Sequence, residues 1–282
     1  MLEQDDRYSA GLGFDGYSTP AAVFDGNRVD QEADKRPPVA RVPKRYGNGR
    51  IVASERIMGL RESQIFSFAP DGGDRKALTS SGYNVMPSWS RDGRRILFSS
   101  NRGGGESIEI WGMDADGGNQ RQPTFNTPGV NFTPVESPDA TRIAFTARRG
   151  NEPPEVCVMN ADGSRQTQLT HGLGDRYPDA NVPCWSFDGT LITFWAGKEA
   201  QYGNVWVMKP DGTNPRRVTD SEGRQNSDDP HWSPDGTKIV FGRGRGGNRA
   251  MSVLEPGTGE VTAFATGVHW CDWQPLPSHS SP

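Results

Sequence analysis

Two side chains late in this 282-residue chain are of the types that proton transfer needs, Asp228 and His269. An imidazole changes charge near neutral pH, and a carboxylate within hydrogen-bond reach orients it as a general base. Asp228 and His269 are therefore the candidate catalytic pair. Other polar groups gather nearby in the pattern: Asn181, Asp229, Trp270 and His231. The imidazoles and carboxylates, joined by Asp272, could also ligate a divalent cation such as zinc or manganese. The chain has only four histidines, one of them (His279) in the tail. No metal and no cofactor is therefore the expectation, with a divalent cation as the alternative. Cys271 falls on the same strand face as His269, about 6–7 Å along it, which does not by itself make a thiolate.

The usual catalytic signatures do not accompany the pair. There is no G-x-S-x-G elbow, P-loop lysine or dinucleotide fingerprint. The "DADGGN" from Asp114 lacks the downstream bidentate Glu of a calcium loop, and its sister copies "NADGSR" and "KPDGTN" are turns.

Asp228 and His269 can meet only if an element brings distant segments together, and a repeat supplies it. "PHWSPDGTKIVFGRGRGG" from Pro230 returns as "PSWSRDGRRILFSSNRGG" from Pro87, "PVESPDATRIAFTARRGN" from Pro134 and "PCWSFDGTLITFWAGKEA" from Pro183. The Asp of S-x-D-G/A falls at Asp92, Asp139, Asp188 and Asp235, in steps of 47, 49 and 47 residues. A second D-G marker at Asp71, Asp116, Asp162 and Asp211 keeps nearly the same period. A period of about 40–50 residues marks a propeller or a solenoid. Each unit reads as four short antiparallel strands joined by D-G turns, where glycine supplies the positive φ. Such units bury their faces only against one another, around an axis.

The fold expected is an all-β propeller of four-stranded blades. "GVHWCDWQPLP" at the C-terminal end reads as an inner strand that completes the N-terminal blade and closes the ring. That gives five blades; a sixth drawing on residues 1–40 is the alternative count. The domain reading is an N-terminal extension (1–40, a strap or lid), the propeller (41–276) and a tail (277–282).

"PHWSPDGTKIVFGR", "PSWSRDGRRILFSSNR", "VWVMKPDGTNPRRVT" and "IFSFAPDGGDRKALT" resemble the WD40-like repeats of the TolB propeller family over about residues 45–275. The third copy departs from the pattern, reading "PVESPDA" without the Trp and the Gly. The resemblance implies a propeller, often with a protein-binding role. The family also includes sugar lyases and peptidase-associated propellers. Nothing after the repeats resembles a hydrolase domain, which removes the peptidase reading. TolB itself is periplasmic.

Trp89, Trp185 and Trp232 recur at one place in their units, as inter-blade packing does. Arg102, Arg149, Lys198 and Arg245 close the second strands and read as loop supports. Ligand contacts belong where the copies differ. Two residues before the Pro, or its equivalent, the copies read Val85, Phe132, Asn181, Asp228 and His269. The next residues are Met86, Thr133, Val182, Asp229 and Trp270. These positions open the inner strands, so an apolar wall around Phe132 would face polar groups in the later blades. Asn84 and Asn131, one residue upstream, join the candidate binding set. In the longer loops of blades three and four, Arg176 and Tyr177, with Asp175 and Tyr202, would form a rim.

Composition bounds the partners. Hydrophobic residues are 33%, with 35 glycines and 22 prolines, and the formal net charge is −4. No basic stripe marks a nucleic-acid footprint, and no apolar run is long enough to insert in a membrane. The acidic start has no apolar signal-peptide core, and three cysteines cannot all pair. Cytoplasm is the expected compartment, with periplasm or secretion the alternative if a leader has been removed. Two functions follow from the residues together with the resemblance. One is a TolB-like binding propeller that uses the central channel mouth and blade loops to bind a protein partner or small ligand. The alternative is an enzyme (lyase, hydrolase or isomerase/cyclase) acting on a sugar-like or natural-product substrate through Asp228 and His269.

Overall fold

The computed structural model describes residues 50–56, 62–69, 73–103, 107–124, 129–173, 177–198, 202–221, 226–233, 235–245 and 248–266. All named elements among them are strands, forming five antiparallel sheets arranged as a five-bladed propeller. Blade 1 holds β1 (Ile51–Arg56), β2 (Ser63–Phe68) and β3 (Lys76–Ala77). Blade 2 holds β4 (Asn84–Trp89), β5 (Arg95–Ser100) and β6 (Glu109–Asp114). Blade 3 runs β7 (Val130–Glu136), β8 (Arg142–Arg148), β9 (Glu155–Asn160) and β10 (Thr167–Gln168). Blade 4 runs β11 (Asp179–Trp185), β12 (Ile192–Lys198), β13 (Tyr202–Met208) and β14 (Arg216–Arg217). Blade 5 runs β15 (Asn226–Trp232), β16 (Ile239–Arg245), β17 (Asn248–Glu255) and β18 (Glu260–Thr266).

Blades 1 and 2 thus show three named strands, not four, among the described residues. In blade 2 a single Gly112–Arg121 bridge stands where the fourth would be. The C-terminal strand expected to complete blade 1 lies outside the described residues. So do the N-terminal extension and the tail.

The repeated S-x-D-G is a turn that satisfies itself. Ser Oγ donates to the Asp two residues on, at 2.7, 2.6, 2.7 and 2.6 Å for Ser90, Ser137, Ser186 and Ser233. Each hydroxyl also accepts a backbone N–H at or just before the start of the next strand, and each carboxylate accepts a backbone N–H two residues later. Donors at this density stabilise the ionised form. The Ser233 hydroxyl, with the Thr237 N–H and hydroxyl, holds Asp235 at about 2. The serine hydroxyl is likewise the largest cause of the lowered values of Asp92, Asp139 and Asp188.

The fourth position of the turn has positive φ: 68° at Gly93, 71° at Gly189 and 72° at Gly236. Blade 3 places Ala140 there, at 59°. Nothing lies within 4 Å of a Cβ built on Gly93 or Gly236, so the site is roomy and the Ala140 cost is conformational. Ala140→Gly should raise stability by about 0.5–1 kcal/mol, read as a higher denaturant midpoint at unchanged slope.

A second device recurs near the outer edge of blades 1 to 4. The hydroxyls of Thr79, Thr124, Thr170 and Thr219 accept the N–H of Ile65, Ile110, Val156 and Val205 at 2.8–2.9 Å. The same hydroxyls donate to Gln64, Glu109, Glu155 and Asn204. The Leu-Thr, Pro-Thr or Val-Thr ending of these four blades is therefore a clasp on β2, β6, β9 and β13.

Apolar side chains fill the spaces between blades. Ile65, Leu78, Ile96, Phe98 and Met113 join blades 1 and 2. Leu97, Ile110, Ile143 and Phe145 join blades 2 and 3. Trp185, Ile192 and Phe194 pack on Val156 and Val158 of blade 3, and Trp232 and Phe241 on Val205 and Val207 of blade 4. The recurrent tryptophans are packing residues, as expected.

Blade 3 lacks its Trp because Glu136 stands there, and the neighbouring blade matches it. Arg95 of blade 2 pairs with Glu136 at 2.8 Å. In the equivalent place, Arg142 lies 4.8 Å over the Trp185 ring, and Leu191 packs on the apolar cluster that contains Trp232. One geometric position therefore carries an ion pair, a cation–π contact and an apolar contact at successive blade junctions.

Candidate functional site

The inner strands β4, β7, β11 and β15 share an irregularity at the candidate positions. The ladder to the next strand skips between Val85 and Ser88, Phe132 and Val135, Asn181 and Cys184, and Asp228 and His231. Within each skip lies a proline, which has no N–H for the ladder. Just before it sits a residue of positive φ: Met86 (53°), Thr133 (50°), Val182 (52°) and Asp229 (51°). Left-handed backbone is costly for β-branched Thr and Val, and four such bulges in register concentrate strain on one level of the ring. The proline gave away the position; its conformation was not legible.

The later blades bring polar groups to this level. Asp228 and Asp229 are buried, at 6% and 5% exposure. Asp228 Oδ2 accepts from Asn226 Nδ2 at 2.7 Å. Asn226 is itself fixed, because its Oδ1 accepts from Trp195 Nε1 at 2.8 Å and from Gly203 N at 3.0 Å. A Cβ on Gly203 would stand 2.2 Å from the Trp195 ring, so the glycine makes room for the indole. Asp228 faces Gly242 across the ladder, a second position without a side chain. Asn226, missed from sequence, sits two residues before Asp228 on the same strand face, the one available cue.

Across the ring, hydroxyl groups tie neighbouring bulges together. Phe132 is buried. The Thr133 and Thr146 hydroxyls meet at 2.7 Å, and Val182 N donates to Thr146 Oγ1 at 3.1 Å, linking the bulges of blades 3 and 4. Asn181, the third residue of β11, is half-buried, opposite Trp195. His231 follows the bulge of β15, half-buried and opposite Val240. His269, Trp270, Cys271, Asp272, Asp175 and Arg176 lie outside the described residues. Among the described residues no group of three His, Cys, Asp or Glu could hold a metal ion.

Asn84 and Asn131 stand elsewhere than expected, wholly buried and spent between blades. Asn84 Nδ2 donates to Ser63 O and Gln64 Oε1 of blade 1, each at 3.0 Å, and its Oδ1 accepts from Arg102 Nη2 at 2.6 Å. Asn131 repeats the arrangement with Glu109 at 2.8 Å and Arg149 at 2.9 Å. These arginines support the blades, as their recurrence suggested. Tyr177 is buried in the core between blades 3 and 4, its ring edge-on to Trp206 at 5.4 Å, with its hydroxyl accepting from Arg217 at 3.1 Å.

A cavity of about 500 Å³ lies away from the bulges, bordered by Phe145, Arg149, Glu155, Cys157 and Gln168. Burial pushes the Cys157 thiol up to about 11, so it is not primed as a nucleophile, and burial also raises Glu155.

Residues 47–179 and 118–275 match the TolB beta propeller domain family. Among relatives, a TolB homolog of Chlorobium luteolum is 35% identical over 60% of this chain and 36% of its own length. The Tol-Pal system protein TolB of Francisella tularensis is 29% identical, over 56% of this chain and 34% of its own. The chain thus spans about a third of these two relatives. Among solved structures, TolB from Acinetobacter baumannii superposes with a TM-score of 0.63 over 77% of this chain and 53% of that one, at 22% identity, a likeness of fold.

Proposed function

Because the chain belongs to the TolB β-propeller family, we propose that it is a binding propeller, holding a protein partner at the end of the ring where the inner strands begin. The observation that carries this reading is the contrast between repeat and exception. Turns, clasps and inter-blade cores recur, whereas the bulge level changes from Val85 and Phe132 to Asn181, Asp228 and Asp229. Asp228 and Asp229 put two buried carboxylates on one inner strand, at positions where the sister copies carry none. Position-specific polar groups on a rigid ring are how such folds acquire a ligand. The name of the Francisella relative supports a protein assembly of the Tol-Pal kind as the setting. Family membership favours the periplasm over the cytoplasm expected from the sequence. No helix among the described residues is long and apolar enough to cross a membrane.

Asp228→Asn keeps an acceptor for Asn226 and removes the charge. In affinity capture from cells, it should lower partner recovery at least tenfold, while Lys209→Ala on an exposed turn leaves recovery unchanged. Equal recovery by all three proteins would refute the assignment.

The second reading, an enzyme on a sugar-like or natural-product substrate, draws on one observation: Asn226 orients the Asp228 carboxylate, as a general base requires. It predicts turnover lost in both Asp228→Asn and His269→Ala while substrate still binds. A small-molecule ligand belongs to this reading; protein binding calls for no cofactor.

A further inference from the structure

The second residue of the S-x-D-G turn varies, reading Arg91, Pro138, Phe187 and Pro234 in the four copies. The two copies without proline meet each other. The Arg91 guanidinium lies 3.1 Å above the centre of the Phe187 ring, and its Nη1 donates to the Phe187 carbonyl. Arg91 belongs to blade 2 and Phe187 to blade 4, so the contact passes over the inner edge of blade 3. These turns follow the inner strands and stand at the opposite end of the ring from the strand starts at Asn181 and Asp228. Burial lowers the pKa of Arg91, in keeping with a guanidinium partly withdrawn from water.

We propose that Arg91 and Phe187 form a latch that closes the S-x-D-G end of the channel, leaving the strand-start end as the ligand's entrance. A planar guanidinium stacks on an aromatic face and still bonds a carbonyl in its own plane, so one side chain can span and hold a gap. Lysine could not do both. The paired departure is economical, because an isolated Arg or Phe here would leave a long side chain in solvent. The closure does not depend on what the channel binds.

Cys184 reports on it. It lies on β11 three residues before Phe187, half-buried, whereas Cys157 is buried in the blade 2–3 core. Site-resolved alkylation by iodoacetamide would be compared in the wild type, in Arg91→Ala, and in a double variant carrying Arg91→Pro and Phe187→Pro, the residue native to the sister turns. The latch predicts that Cys184 reacts at least five-fold faster in both variants while Cys157 keeps its slow rate. An unchanged Cys184 rate in folded variants would overturn it. So would equal acceleration of both thiols, which would mean that the contact only stabilises the fold.

Discussion

Gly163→Ala should destabilise the protein by about 4 kcal/mol or more, at the far end of single-substitution effects. Two separate costs combine. Gly163 has φ of +88°, where an added Cβ costs about 1–2 kcal/mol. The same Cβ would stand 1.8 Å from the carbonyl oxygen of Pro123 in the preceding blade. That atom is backbone, so relief requires moving one blade against another. Gly236→Ala separates the costs, because φ is +72° and nothing lies within 4 Å, leaving about 1 kcal/mol. Denaturant unfolding of both variants checks the pair. Similar losses would mean that the blade junction yields easily.

Arg95→Ala should be the next most damaging change, at about 2–3 kcal/mol near neutral pH. It strands Glu136, whose side chain is 4% exposed, whereas Arg95 is 30% exposed and its own removal leaves little void. Desolvation already raises the Glu136 pKa despite Arg95. A raised carboxyl favours the folded state below its ordinary range, and that contribution fades as pH rises through the folded value. Loss of Arg95 raises it further, so the penalty should shrink in mild acid and grow towards alkaline pH. The structure also indicates a repair. Arg95→Leu with Glu136→Trp installs the residue types found at Leu191 and Trp232 of the blade 4–5 junction and should recover most of the loss. A double variant no better than Arg95→Ala would show that the junctions are not interchangeable.

Much of the fold was legible because the repeat is made of local chemistry. Ser, Asp and Gly in S-x-D-G satisfy one another within a few residues, so their spacing names the turn and its period names the ring. The departure at Glu136 looked like decay in sequence; its partner Arg95 lies 41 residues earlier on another blade, beyond the reach of local pattern. Asn84 and Asn131 were drawn into the site by their place beside variable positions, whereas register turned their amides between blades. Asp228 and Asn181 stand out in sequence because they differ from their sister copies. Asn226, Trp195 and the Arg91–Phe187 contact went unseen, since each depends on which strands become neighbours after closure.

The central claim is that the ligand meets the ring where the inner strands begin. A photo-crosslinking residue placed at Asn181 in living cells tests it most directly, with a second at Arg216 on the outer edge strand of the same blade. The account predicts one discrete protein adduct from position 181, abolished by Asp228→Asn, and none from position 216. Adducts from position 216 alone would place the partner on the outer rim and contradict the account.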